Sequence, residues 1–253
     1  MPFSIIVICK NEVDALATSI PVWLSVSNEV IVYDTGSVDG SQDLIKKLGA
    51  TLAEGPWEGF GRTKNKASQL ASHDWILSLD ADETPDDALR SSLKNWAPPA
   101  DNSTVYNLRF RNYFSNKPLY FGEWGRDSHL RLFNRKYTKW NEALVHEKLL
   151  FANNSPIATL WGYVTHRTVK DIDEYKEKTN KYALLSAEKY FLESKKATWI
   201  KLYVSPIYSF VHYYILKLGF LDGTAGLICA GMTTRYTYLK YRYLKKLMQK
   251  ENA

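Results

Sequence analysis

A chain of 253 residues with 45% hydrophobic and 24% charged residues has the balance of a folded globular protein, which excludes disordered and collagen-like chains. The net charge of +6 comes from 33 Lys and Arg against 27 Asp and Glu, and points to an anionic partner: nucleic acid, anionic lipid or a phosphorylated ligand. Two cysteines, Cys9 and Cys229, give neither a disulfide framework nor the CxxC spacing of a zinc site, so a reducing cytosol is the simplest setting. The start, MPFSIIVICKNE, lacks the basic n-region and cleavage site of a secretory signal.

In chain order, Phe3–Cys9 reads as a buried strand, 11–26 as a helix and Glu29–Asp34 as a second buried strand, followed by the turn TGSVDGS. A helix over Ser41–Leu48, a short strand over Gly49–Ala53, a helix over Arg62–Ser72 and a strand over Asp74–Asp80 complete the first part. Strands alternating with helices predict a mostly parallel, Rossmann-like sheet flanked by helices, with ligands beyond the strand C-termini. The polar clusters KNE, DTGSVDGS and DADE follow three of those strands. After Pro98-Pro99 the expected elements are strands over Thr104–Asn112, Leu130–Phe133 and Ile157–Thr165, then a charged helix over 171–195.

Asp80-Ala81-Asp82 closes an apolar strand, and alternate residues there aim two carboxylates into one crevice. Carboxylates are hard oxygen ligands suited to Mg²⁺ or Mn²⁺ when a diphosphate completes the shell. In the turn Asp34–Ser41, Gly36 and Gly40 permit tight bends, Asp34 is placed to accept from a nucleobase or ribose, and Ser41 reads best as a helix cap. The glycines match neither GxGxxG nor a P-loop.

Together, IVICKNE, VYDTGSVDGS and DWILSLDADE resemble the N-terminal half of an inverting family 2 glycosyltransferase of the GT-A fold. GEWGRDSHLRLFNR, NEALVHEKL and GFLDGTAGL extend the resemblance along the chain, toward the lipopolysaccharide inner-core β-1,4-glucosyltransferase subgroup. The resemblance implies Asn11 and Glu12 at the nucleotide, Asp34 on the uracil, Asp39 on the loop beside it, and Arg62 and Asn65 on a bordering helix. It also implies Asp80 near ribose and metal, and Asp82 as the direct metal ligand. Lys64 and Lys66 read as surface charges, with contact of one of them to phosphate as the alternative. Inversion needs a carboxylate base for the acceptor hydroxyl. Glu147 of the pair His146-Glu147 is the leading candidate, with a surface acid as its bland alternative, ahead of Glu123 and Asp127, with Glu142 also in the set; His146 reads either as a satisfied structural histidine or as a ring that orients Glu147 or approaches the metal. Arg126 and Arg131 are candidates for diphosphate or acceptor phosphate, with at least one of them expected to be an ordinary salt-bridge partner. Trp124 and Trp57 suit a sugar face, with core packing the better expectation for each ring.

Charge is unevenly distributed. Residues 1–194 carry a net −2, whereas residues 195–250 hold ten Lys and Arg against Asp222 alone. That tail contains two uncharged stretches, Leu202–Leu216 and Gly223–Thr234, both short of the ~20 residues of a membrane span. They read as interfacial helices, with Arg235, Lys240, Arg242, Lys245 and Lys246 meeting anionic headgroups. The expected organisation is a GT-A domain over 1–195 (nucleotide-sugar half 1–97, acceptor half 98–195) and a helical membrane-associating appendage over 196–253. The expected activity is metal-dependent transfer of a hexose, glucose from UDP-glucose, onto a lipid-A-linked core sugar at the cytoplasmic face of the bacterial inner membrane. Two rival classes remain. A nucleotidyltransferase would carry a glycine- and Lys/Arg-rich phosphate loop, which KNEVDALA is not. A nucleic-acid-binding protein would fit the pI of about 9.0, but the apolar tail suits lipid better, so no nucleic-acid partner is expected.

Overall fold

The computed structural model describes residues 2–142, 147–169 and 171–251. The first half alternates as its pattern predicts: β1 (Ser4–Cys9), α1 (Val13–Leu24), β2 (Val30–Asp34), α2 (Ser41–Leu48), β3 (Thr51–Glu54), α3 (Phe60–Gln69), β4 (Trp75–Asp80), β5 (Glu83–Pro85) and α4 (Asp87–Lys94). There follow β6 (Val105–Phe114), β7 (Lys117–Pro118), β8 (Asp127–Asn134), β9 (Lys139–Trp140), β10 (Leu149–Leu150), β11 (Ile157–Val169) and α5 (Ile172–Leu192). The remainder is helical: α6 (Ser205–Phe210) flanked by π-helical turns over Ile200–Val204 and Val211–Leu216, a 3₁₀ turn over Gly219–Asp222, and α7 (Gly223–Glu251).

The main sheet runs β3-β2-β1-β4-β8-β6-β11-β5, with β7 on β6. The β1–β2, β1–β4 and β2–β3 pairs are parallel; β4–β8 and β11–β5 are antiparallel. β1 and β2 are buried along their whole length, as unbroken apolar strands covered on both faces must be. Alternation then divides the core: Ile5, Val7 and Leu77 pack on one face with Trp23, while Ile6, Ile8 and Ile76 pack on the other with Ala67 of α3. Register aligns the strand ends, Cys9 opposite Asp34 and Ile8 opposite Asp80. The loops after β1, β2 and β4 therefore leave one edge of the sheet together.

The chain forms two compact units, Met1–Phe110 with Ser128–His166, and Arg111–Asp127 with Arg167–Ala253. The boundary expected at 195/196 falls inside the second unit, because α5 packs along α7. There Tyr175 joins Phe114, Leu119, Ala225 and Cys229 in one apolar cluster, and Ser186 Oγ lies 2.8 Å from the Tyr236 hydroxyl. α7 is longer than the uncharged stretch that forms its start. Among the described residues no single helix is long and apolar enough to cross a membrane; Ile200–Leu216 and Gly219–Lys250 meet at a bend of 70°.

Candidate active site

The loops after β1 and β2 are stapled to each other. Asn11 adopts a left-handed backbone (φ 56°), its N–H donates to Ser37 Oγ (2.7 Å), and its side-chain oxygen accepts from Val38 N–H (2.9 Å). Glu12 N–H donates to Ser41 Oγ (3.2 Å) and Val13 N–H to Asp39 (3.0 Å). Ser41 does not cap α2, whose N-cap position is Gly40; its hydroxyl bridges Glu12 and Asp39 instead. Asn11, Glu12 and Asp39 are exposed on this rim.

Asp34 lies beneath the rim, fully buried. It accepts from Gly36 N–H (3.0 Å), Ser37 N–H (2.9 Å), Gln42 Nε2 (2.8 Å), Cys9 Sγ (3.4 Å) and the Ser37 hydroxyl. A carboxylate offers about four lone-pair directions, so this one is saturated. Asp34 thus organises the loop, and the direct bond to a base expected from the sequence has no acceptor direction left to use. Burial pushes its carboxyl up, but the bonds from Ser37, Gln42 and Gly36 outweigh burial and hold it at about 2. A carboxylate depressed in the folded state contributes stability above its unfolded value near 4 and loses it as pH falls toward 2. Asp34→Asn is expected to cost roughly 2 kcal/mol at pH 7. Urea unfolding should show the gap between wild type and variant narrowing from pH 4 downward. An equal gap at pH 3 and pH 7 would mean the charge is not the cause.

A charge cluster lies at the end of β4. Lys64 is 1% exposed, against the surface position expected of its charge; its place on α3, four residues after Phe60 and three before Ala67, puts it on the apolar face. Its ammonium pairs with Asp80 Oδ1 (3.1 Å) and Glu147 Oε1 (2.8 Å) and lies over the Trp140 ring (5.0 Å). Arg131 of β8 pairs with Asp80 Oδ2 (3.1 Å) and Glu83 Oε1 (2.6 Å). With its side chain only 8% exposed, Arg131 serves as a buried counter-ion for two carboxylates rather than facing solvent where a phosphate would sit. Burial favours neutral Asp80, but the charges of Lys64 and Arg131 outweigh it and hold the carboxyl far below the usual range. Burial pushes Glu83 up against the pull of Arg131. Asp82 meets His166 of β11 at 3.2 Å, and burial of that imidazole is outweighed by its bond to Asp82, so its pKa is raised. Nothing in the sequence signals His166; the antiparallel pairing His166↔Glu83 brings it there.

Among the described residues no group of three His, Cys, Asp or Glu converges as a metal cage. Asp80 and Asp82 are nevertheless suited to Mg²⁺ or Mn²⁺, which keep water ligands and take one or two carboxylates plus substrate phosphate. Their side chains are 36% and 30% exposed.

The other expected residues are distributed as follows. Arg62 pairs with Glu142 at the surface (2.6 Å). Asn65 clips β9, donating to Trp140 O (2.8 Å) and accepting from its N–H (2.9 Å). Both line an open cavity of about 750 Å³ with Lys66, Arg135 and Lys139, which Asp80, Asp82 and Glu147 do not line. Trp57 is half exposed, edge-on to Phe60. His146 lies outside the described residues. The other four belong to the second unit. There Glu123 accepts from the Thr233 hydroxyl, Asp127 from Asn112 Nδ2 (3.2 Å), Trp124 packs on Tyr175 (5.1 Å), and Arg126 is exposed.

Comparison with known proteins adds three findings. The profile of "Glycosyl transferase family 2" matches residues 4–150. An uncharacterized glycosyltransferase of Rickettsia prowazekii is 24% identical, covering 98% of this chain and 88% of its own length; the lipopolysaccharide core biosynthesis glycosyltransferase LpsC of Rhizobium meliloti is 27% identical, covering 95% and 93%. Among solved structures, S. aureus TarS 1–349 in complex with UDP-GlcNAc superposes with a TM-score of 0.49 at 13% identity, over 97% of this chain and 92% of that one.

Proposed function

The chain belongs to glycosyl transferase family 2 and has an α/β GT-A fold; from that premise we propose that this glycosyltransferase moves a hexose, glucose from UDP-glucose, onto a lipid-A-linked inner-core sugar of lipopolysaccharide with inversion. The observation that carries the reading is the Lys64 bridge. A single buried ammonium joins Asp80, at the end of a donor-side strand, to Glu147, the candidate base.

The stapled rim of Asn11, Glu12 and Asp39 borders the nucleotide in this reading, with Asp34 holding the loop rigid beneath it. Glu147 takes the proton of the acceptor hydroxyl. The oxygen attacks the anomeric carbon as the bond to the diphosphate oxygen breaks, and UDP leaves with the electron pair. Asp82 and Asp80 would hold Mg²⁺ or Mn²⁺, which offsets charge on the leaving diphosphate. Lys64 and Arg131 fix the orientation of Asp80. The resemblance to LpsC supports the acceptor class, and a lipid-borne acceptor gives the basic, apolar C-terminal segment a purpose at the cytoplasmic face of the inner membrane.

The test is release of UDP by purified protein given UDP-glucose, Mg²⁺ or Mn²⁺ and truncated core acceptor. Turnover is expected with metal and only background after chelation. Absence of release from any nucleotide sugar overturns the proposal, and release of pyrophosphate would favour a nucleotidyltransferase.

A further inference from the structure

The second unit carries an apolar stripe that none of its described residues covers. Trp199, Tyr203, Ile207, Val211 and Ile215 recur every four residues and are 41–68% exposed. Leu202, Pro206 and Ser209, which lie between these positions, are buried. On a regular α-helix a four-residue repeat drifts by about 40° per step. The wider π-helical turns Ile200–Val204 and Val211–Leu216 take up that drift and hold the stripe on one face. Leu216, Leu218, Phe220 and Leu221 continue the exposed apolar surface around the bend. A soluble monomer rarely leaves so long a contiguous apolar surface bare.

We propose that this stripe is the element that seats the protein in a lipid leaflet, and that it, rather than the basic helix α7, sets the affinity. This deepens the membrane placement offered above, but its evidence is independent of the sugar chemistry. Charge favours lipid as the occupant. Lys196, Lys201 and Lys217 border the stripe, Lys195 beside them being paired with Glu193 (2.7 Å), and no acid occurs from residue 195 to 221. The acid that follows, Asp222, is tied to the backbone N–H groups of Tyr120 (3.0 Å) and Phe121 (2.9 Å). A leaflet supplies anionic phosphates around an apolar bed, with tyrosine and tryptophan at home at its boundary. A second copy docked by two-fold symmetry would set these lysines against one another. Two of the cations expected to lead binding are committed within the unit: Lys240 lies over the rings of Tyr190, Tyr236 and Tyr241 at 5.0–5.1 Å, and Arg235 donates to Asn180 (3.3 Å).

Sedimentation of the full chain with phosphatidylcholine vesicles, with and without about a third phosphatidylglycerol, tests the proposal. Binding to the zwitterionic vesicles is expected and should persist near 1 M NaCl, where charge is screened within about 3 Å. Ile207→Glu/Ile215→Glu should weaken it at least about tenfold on both lipids, whereas Lys245→Gln/Lys246→Gln should change it less than about threefold. Quenching of Trp199 by brominated lipid, read as the difference between wild type and Trp199→Phe, gives the same answer without a charged variant. Failure to bind, binding that needs phosphatidylglycerol and vanishes in salt, or an unaffected double-Glu variant overturns the proposal. So does a dimer that the double-Glu variant splits while vesicle binding is unchanged, which would assign the stripe to a second copy. UDP release on a soluble acceptor is a separate reading, so loss of vesicle binding leaves the transferase proposal standing.

Discussion

Glu147→Gln is expected to lower kcat by about 10²–10⁴, the usual worth of a positioned general base, while donor binding stays within a few-fold of wild type. The substitution keeps size and polarity but removes the proton acceptor. It also weakens one of the two ion pairs of Lys64, which retains Asp80 at 3.1 Å. A thermal transition close to wild type would separate loss of chemistry from loss of fold. Glu123→Gln and Asp127→Asn are the comparison, and both should keep kcat within about tenfold, since neither removes the acting base in this reading. If Glu147→Gln keeps near-full turnover while either comparison variant loses it, the base is the other carboxylate.

Much of the frame was legible because β1, β2 and β4 are short apolar runs separated by helical periods, a local pattern that needs no tertiary information. The same pattern marked Asp80 and Asp82 as strand-end carboxylates. What surrounds them was not legible. Lys64 had a local signal, its place on the Phe60–Ala67 face of α3, which its charge overrode. Arg131 and His166 arrive on β8 and β11, strands that lie far along the chain from β4 and β5 and reach them by antiparallel pairing: Leu132 opposes Leu77, and His166 opposes Glu83. Such pairings are fixed by the sheet as a whole. Asp34 sits at the tight turn after β2 that the sequence pattern marks, but its hydrogen bonds turn inward because Gly36, Ser37 and Gln42 consume them. In the tail, the uncharged stretches were visible, yet only the helix geometry reveals which side chains face outward.

Arg131→Met is expected to cost about 3–5 kcal/mol of stability, the range for removing one partner of a buried ion pair. Glu83 is 1% exposed and its Oε1 lies 2.6 Å from the guanidinium. Without that cation, burial and the neighbouring Asp80 charge both act to protonate Glu83, which is already pushed up by its surroundings. The same carboxylate accepts from Asp80 N–H (2.9 Å), so its disturbance reaches the turn that carries Asp80 and Asp82, and turnover should fall along with stability. Adding Glu83→Gln to Arg131→Met removes the stranded charge and should recover part of the loss, giving a coupling of about 0.5–3 kcal/mol in a double-mutant cycle read by urea unfolding. A phosphate-binding arginine would behave differently. Its loss would raise the donor or acceptor KM and leave the urea midpoint in place, with no coupling to Glu83. The two readings of Arg131, counter-ion and substrate ligand, are therefore separated by a measurement that contains no substrate.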